Sequence, residues 1–308
     1  MIAGRALRLR PSIRSHVFVS GMSSTASDEV RKAAPFDASK VKVISLDVTG
    51  TLLVHKQSVS GTYADCMSWA KLPITPSGAD LKIPFKQAYR EKLIEFPAFG
   101  FDAGMSDRDW WKAMVRRTVE LANKDQVPIS EDEFDRFFRR VYQFYGSQEG
   151  YACLPDAEEF LHWAHGRYSL GICTNTTERT VETVLPMLRL HDLFHWFVCC
   201  RDVGSEKPSR PIFDEAFRQA SWWARESGLA ADLQRDQVLH VGDNFAADFC
   251  GARAAGFQAL FLDRSHNPLV TSYRDYPAVD YPGRSDEDIR SSTVTSLTEV
   301  MQRLQGAS

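Results

Sequence analysis

Several features that would fix a protein's class at once are missing from this 308-residue sequence. None of its six cysteines (Cys66, Cys153, Cys173, Cys199, Cys200 and Cys250) forms a C-x-x-C pair, so neither a zinc site nor a disulfide framework is expected. They read as reduced thiols, with Cys173 and Cys199 buried inside apolar runs. No apolar stretch approaches the roughly 18 residues of a membrane span, and no membrane partner is expected. Neither sign of charge dominates: 37 Lys and Arg against 40 Asp and Glu leave a net charge of −3. That balance gives no electrostatic footprint for nucleic acid. No internal repeat is present. What remains is a chain 44% hydrophobic and 25% charged, the composition of a soluble globular protein, with length for about two domains.

The amino terminus differs from the rest. Residues 1–20 carry four arginines (Arg5, Arg8, Arg10, Arg14) and no acidic residue. Ile2, Leu7, Leu9, Ile13 and Val17 are interspersed among them, without the continuous apolar core of a secretory signal. This pattern predicts a transit peptide for the mitochondrial or another organelle matrix. The alternative is a disordered tail, or a start at Met22, in a cytoplasmic or nuclear protein. Residues 21–39 read as a linker.

Folding signals begin at Val41. Five short apolar runs have the look of buried strands: Val41 to Val48, Tyr168 to Thr174, Trp196 to Cys200, Val238 to Gly242 and Ala259 to Asp263. Helical patterns separate the later ones, at Thr177 to Leu188, at Pro211 to Glu226 with proline in the first turn, and at Asn244 to Ala255, stopped by Gly256. This alternation predicts an α/β fold, a parallel sheet covered on both faces. The interval from Leu53 to Glu158 instead looks helical throughout, with helix starts at Ser106-x-x-Asp109 and Ser130-x-x-Glu133. Phe134, Phe137, Phe138, Val141 and Phe144 form one apolar face, and Trp111, Met114, Val115, Val119 and Ala122 another. Both read as the inside of a small bundle. Ile289 to Leu304 predicts a short strand and then a helix capped by Ser296-x-x-Glu299.

Four polar clusters sit where strands end, the position at which open α/β sheets bind ligands. They are Asp47-Val-Thr-Gly-Thr-Leu52, then Thr174-Asn175, then Lys207-Pro208, then Gly242-Asp243-Asn-Phe-Ala-Ala-Asp248. Each alone is an ordinary turn sequence. Together they supply three carboxylates, a hydroxyl and a lysine, a set that suits Mg²⁺-assisted phosphoryl transfer. Mg²⁺ takes carboxylates, waters and phosphate oxygens, a lysine offers a compact positive charge, and an aspartate can act as nucleophile.

The order and spacing of these clusters resemble the haloacid dehalogenase (HAD) superfamily over roughly Val41 to Asp263. The resemblance implies a Rossmann-like parallel core and a catalytic set of Asp47, Thr49, Thr174 and Lys207, with Asp47 as nucleophile. It also implies phosphate binding by Gly50, Thr174, Asn175 and Lys207, and Mg²⁺ held by Asp47, the Thr49 carbonyl, Asp243 and Asp248. The long insertion between the first two clusters implies an all-helical cap of the first subclass. The implied layout is a leader with linker at 1–39, a core of 40–56 and 156–308, and a cap of 57–155. Phe85-Lys-Gln-Ala-Tyr-Arg90, Asp109-Trp-Trp111 and His240-Val-Gly-Asp-Asn244 resemble, more narrowly, the eukaryotic HAD-like hydrolase domain-containing protein 3 group.

One position departs from the superfamily's phosphatases. They carry a second aspartate two residues after the nucleophile, as general acid and base, where this chain has Thr49. A threonine hydroxyl does not exchange its proton near neutral pH, and general acid–base help is worth about 10²–10⁴ in rate. The leading expectation is therefore a slow phosphatase of a small phosphorylated metabolite. Two alternatives stand beside it: a weakly catalytic or non-catalytic protein that binds a phosphorylated ligand or a partner, and a carbon–halogen hydrolase. His55 is the nearest candidate for a substitute acid. His162 and His165 read as surface residues, Trp222-Trp223 as helix packing or a partner surface, and the Asn175-Thr-Thr177 sequon as a buried strand end.

Overall fold

The computed structural model describes residues 35–268, 270 and 286–306. Among these, eight strands form: β1 (Val43–Leu46), β2 (Leu53–His55), β3 (Tyr151–Cys153), β4 (Ser169–Thr174), β5 (Trp196–Cys199), β6 (Val238–Gly242), β7 (Gln258–Leu262) and β8 (Thr293–Val294). Six make one parallel sheet in the order β5-β4-β1-β6-β7-β8. Successive side chains of a strand point to opposite faces, and here both faces are dry, as parallel sheets require. Ile44, Leu46, Ile172 and Leu239 pack with Phe160 and Leu161 on one side. Val43, Cys173, Val198 and Val238 pack with Ile212 and Phe213 on the other. The expected α/β core, helices on both faces of a parallel sheet, is the fold observed.

The helices follow from apolar spacing and caps. In the insertion they are α1 (Val59–Ala70), α2 (Gly78–Glu95), α3 (Asp107–Ala122) and α4 (Glu131–Phe144). Ser106 accepts from the Asp109 N–H at 3.1 Å, and Ser130 and Glu133 close a reciprocal capping box. After it come α5 (Pro155–Ala164), α6 (Arg210–Glu226), α7 (Gly251–Ala254), α8 (Glu287–Ser291) and α9 (Leu297–Gln305), the last capped by Ser296. All five phenylalanine and valine positions on the α4 face are buried. No helix among the described residues is long and apolar enough to cross a membrane.

Four expectations need correction. The insertion is not helical throughout: β2 and β3 pair antiparallel, with Leu53 opposite Cys153 and His55 opposite Tyr151. Three-residue runs a hundred positions apart leave no local periodicity, so their pairing was invisible to a window-based reading. The pair forms the neck between core and cap. The helices expected at 177–188 and 244–255 open with wider π turns, Thr180–Val184 and Phe245–Cys250, a deformation that recurs at functional sites. Ile289 lies in α8, not in the strand that follows. Finally, residues 36–39 are docked: the Asp37 N–H donates to Gln258 Oε1 at 2.7 Å, Gln258 Nε2 returns a bond to the Asp37 carbonyl, and Phe36 packs on the core. The leader expected at 1–39 otherwise lies, for residues 1–34, outside the described residues.

Candidate active site

β1 is central, with β4 on one side and β6 on the other, and the chain leaves each at the same edge. Asp47 follows β1 directly and is tied to β6 by its N–H, which donates to the Val241 carbonyl at 3.0 Å. Asp47 Oδ1 accepts from Thr174 Oγ1 at 3.1 Å and from Lys207 Nζ at 2.8 Å. Lys207 is almost wholly buried and uses all three of its donor directions. Besides Asp47 they reach Asp248 Oδ1 at 2.6 Å and the Cys173 carbonyl at 2.7 Å. Burial alone would lower the lysine's pKa, but the charges of Asp248 and Asp47 overcome it and raise the ammonium above its ordinary value. Lys207 is a fixed cation.

Asp248 is held from three directions. Its Oδ1 accepts from Lys207 and faces His240 Nε2 at 3.2 Å, and its Oδ2 accepts the Asn244 N–H at 2.9 Å. Burial pushes its pKa up, yet the Lys207 charge and the His240 hydrogen bond win and keep the carboxyl well below the usual range. Gly242 is glycine for this reason: a Cβ there would lie 2.2 Å from the Asp248 carboxyl carbon. His240 is completely buried, and that burial lowers its pKa despite Asp248, so the ring is neutral. Its Nε2–H then donates to Asp248, and Nδ1 accepts from Ser45 Oγ at 2.9 Å. Sequence reasoning gave this pair no role. The available signal was one polar residue in each of two adjacent apolar strands, Ser45 opposite His240.

Of the residues expected at the site, Asp47, Thr174, Lys207, Asp243 and Asp248 converge, and Thr49 and Asn175 share the same cavity wall. Asp47, Asp243 and Asp248 each offer an oxygen, all within 4.8 Å of one another. Hard oxygens at that spacing fit a small divalent cation, and three carboxylates facing one lysine leave negative charge for it to balance. Asp248, which accepts three hydrogen bonds, is held firmly in that cluster. Asn175 acts on the lysine: its Nδ2 donates to the Lys207 carbonyl at 2.9 Å and its Oδ1 accepts the Lys207 N–H at 2.7 Å. Gly50 is not brought to the cavity. Its φ of 88° makes the turn, and its N–H is taken by the Leu53 carbonyl at 2.7 Å.

Above this charged floor lies a cavity of about 690 Å³, roofed by the cap. His55 is in its wall, with ring centroids 5.4 Å from Tyr145 and 5.1 Å from Tyr151. Trp111 and Phe138, read from the sequence as bundle interior, also face it, while the adjacent Trp110 is fully buried. Arg179, from the core, lies 3.5 Å over the Tyr142 ring and donates to the Tyr142 carbonyl, joining core to cap.

Comparison with known proteins agrees with this architecture. A family model described as haloacid dehalogenase-like hydrolase matches residues 41–256. The mouse protein named haloacid dehalogenase-like hydrolase domain-containing protein 3 is 29% identical over 77% of this chain and 87% of its own length. Among solved structures, a magnesium-bound HAD-hydrolase of Bacillus subtilis superposes with a TM-score of 0.56 at 16% identity, covering 86% of this chain and 99% of that one. A 2-haloacid dehalogenase of Pseudomonas syringae gives 0.55 at 18%, covering 87% and 100%. At such identities these two structures speak for the fold alone.

Proposed function

The chain belongs to the haloacid dehalogenase-like hydrolase family, and from that premise we propose that it hydrolyses phosphate monoesters through a phosphorylated Asp47. The observation that carries this reading is the cluster itself: a carboxylate pinned by a buried lysine and a hydroxyl, beside two further carboxylates, under an open cavity. Lys207 and Thr174 fix Oδ1 of Asp47, which leaves Oδ2 to attack phosphorus. The bond from phosphorus to the alcohol oxygen breaks, and the alcohol leaves with a proton drawn from solvent water, which the attacking water of the next step returns. Water then attacks the phosphorus, the bond to Asp47 breaks, and phosphate and the free carboxylate are restored. Lys207 lowers the cost of the negative charge that accumulates on the transferred oxygens, the work expected of a preorganised cation.

Asp47, Asp243 and Asp248 would hold Mg²⁺, and the ion would supply charge stabilisation at the phosphoryl group. Thr49 faces the cavity where a proton donor is wanted. It can orient a proton but not exchange one, so both steps lose help, and with an aryl leaving group, which departs without an acid, the second step is the slow one. Thr49 also favours a second reading, a protein that binds a phosphorylated ligand and scarcely turns it over. A carbon–halogen hydrolase would leave Asp243 without work. The test is phosphate release from a set of monoesters with Mg²⁺ and with excess EDTA. Turnover only with the metal supports the proposal, and full activity in EDTA contradicts it.

A further inference from the structure

The roof of the cavity has a chemical character of its own. The cap contributes nine aromatic side chains to the wall, among them Phe85, Tyr89, Phe99, Trp111 and Phe138, and among the described residues not one charged group. Among the described residues the wall has three cations, all from the core, and each has partners there. Lys207 holds Asp47 and Asp248. Arg264 holds Asp156 at 2.6 Å and the Thr51 carbonyl at 3.0 Å, and Arg179 is stacked on Tyr142. The Tyr142 hydroxyl donates outward to Asp107 Oδ2 at 2.8 Å, so that residue offers the cavity its ring.

A second observation points the same way. Ala98 and Phe99, neither of them glycine, both have left-handed backbone, with φ of 46° and 55°. Such strain persists only where the surroundings enforce it, and ligand clamps are a common place for it. Here Glu206, the neighbour of Lys207, accepts the Ala98 N–H at 3.2 Å. The strained turn sets the Phe99 ring 4.7 Å from Trp110 and 6.0 Å from Trp111, in the cavity wall.

Resting on the hydrolase reading above, we propose that the substrate is a phosphate monoester whose organic body is a flat, uncharged aromatic ring system. The volume lies within the roughly 300–1,000 Å³ of sites that enclose a ligand, more than a three-carbon phosphate fills. Ring faces reward an apolar planar body by stacking. A polyol would find hydroxyl partners at the tyrosines of the wall but no stacking, so it gives up the larger part of what the ring faces offer. Among the described residues, the cap offers no charged group to a second acidic substituent on the organic body.

The test uses three esters of primary alcohols, so that the leaving groups are alike: naphthylethyl phosphate, a nucleoside 5′-monophosphate and glycerol phosphate. With Mg²⁺, at least one aromatic ester should exceed glycerol phosphate in kcat/KM by about ten-fold or more, mainly through KM, the scale on which apolar pockets discriminate. The nucleotide arm separates a nucleobase from an all-carbon ring. Trp111→Ala should bring the aromatic-to-polyol ratio towards one, and Trp111→Phe should restore most of it. Glycerol phosphate turned over as well as both aromatic esters would overturn this proposal and leave the hydrolase reading intact. Binding of a naphthylethyl phosphonate covers the remaining case. If no ester is hydrolysed but the phosphonate binds at least ten-fold tighter than inorganic phosphate, the hydrolytic mechanism falls and the aromatic preference stands. Equal binding would overturn both.

Discussion

The floor and the roof of the cavity are held together by different forces, and they should fail differently. At the floor, short polar contacts join Asp47 at the end of β1 and His240 within β6 to Asp248 and Lys207, which lie in the segments that follow β6 and β5. Neutralising Asp47 alters charge at the reacting atoms while Lys207 keeps Asp248 as its partner and the apolar sheet beneath keeps its packing. The roof is built from packed rings: Trp110 against Phe99 and Trp111, and Phe134 against Phe138. There the same residue type does two jobs: Trp110 fills the bundle, while Trp111, Phe99 and Phe138 also reach the cavity wall, the last two although almost wholly buried. The floor should therefore be fragile in activity and the roof fragile in stability, with ligand affinity set by the few rings that face inward.

The largest expected effect is at the floor. Asp47→Asn keeps the shape but removes the attacking charge, and phosphatase turnover should fall by roughly 10⁴-fold or more, with the thermal midpoint little changed. A midpoint shift as large as that of a core truncation would show that the floor is structural after all. Next is the roof. Trp110→Ala opens a void in the cap and should cost about 3–5 kcal/mol in denaturant unfolding. Trp111→Ala, one position on and half-buried, should cost about 1 kcal/mol. Equal losses would erase the distinction between filling and lining.

Much of the floor was legible in the sequence and little of the roof, for a physical reason. Asp47, Lys207, Asp243 and Asp248, each ordinary alone, were legible together because their clusters follow apolar strands, where open sheets bind ligands, in an order that resembles one superfamily. The strands around them were legible because their runs are continuous. The β2–β3 neck was not, since its pairing is long-range, and neither were the π turns that shape the approaches to Arg179 and Asp248. Ring spacing on α3 and α4 identified a buried face correctly, but periodicity cannot tell a side chain that fills from one that lines. His240 was overlooked because a histidine within an apolar strand reads as packing until its partners, Ser45 and Asp248, are seen.

Smaller effects sharpen the comparison. Thr49→Asp returns a proton carrier to the floor, and release of phosphate from Asp47 should accelerate by about 10²-fold, the lower end of general acid–base help. Equal rates in both proteins, measured by quench-flow, would assign the proton to another group, with His55 first. The thiols report on the two regions separately. Burial raises the pKa of Cys66 in the cap to about 11 and that of Cys173 beneath the floor to about 12. Both should stay protonated and unreactive at pH 9, where an ordinary thiol near pKa 8.5 is largely ionised and reactive. Labelling with an aromatic disulfide reagent should thus be slow in the native protein and fast in denaturant. In Trp110→Ala, Cys66 should label sooner than Cys173.

The most direct measurement concerns Asp47 itself. Wild-type protein given an aryl phosphate and Mg²⁺, quenched in acid and digested, should yield a peptide phosphorylated on Asp47. Its occupancy should be high because Thr49 leaves the second step slow, and it should drop sharply in Thr49→Asp. Phosphate release from the wild type with Asp47 unmodified at every quench time, and unchanged in Asp47→Asn, would contradict the account.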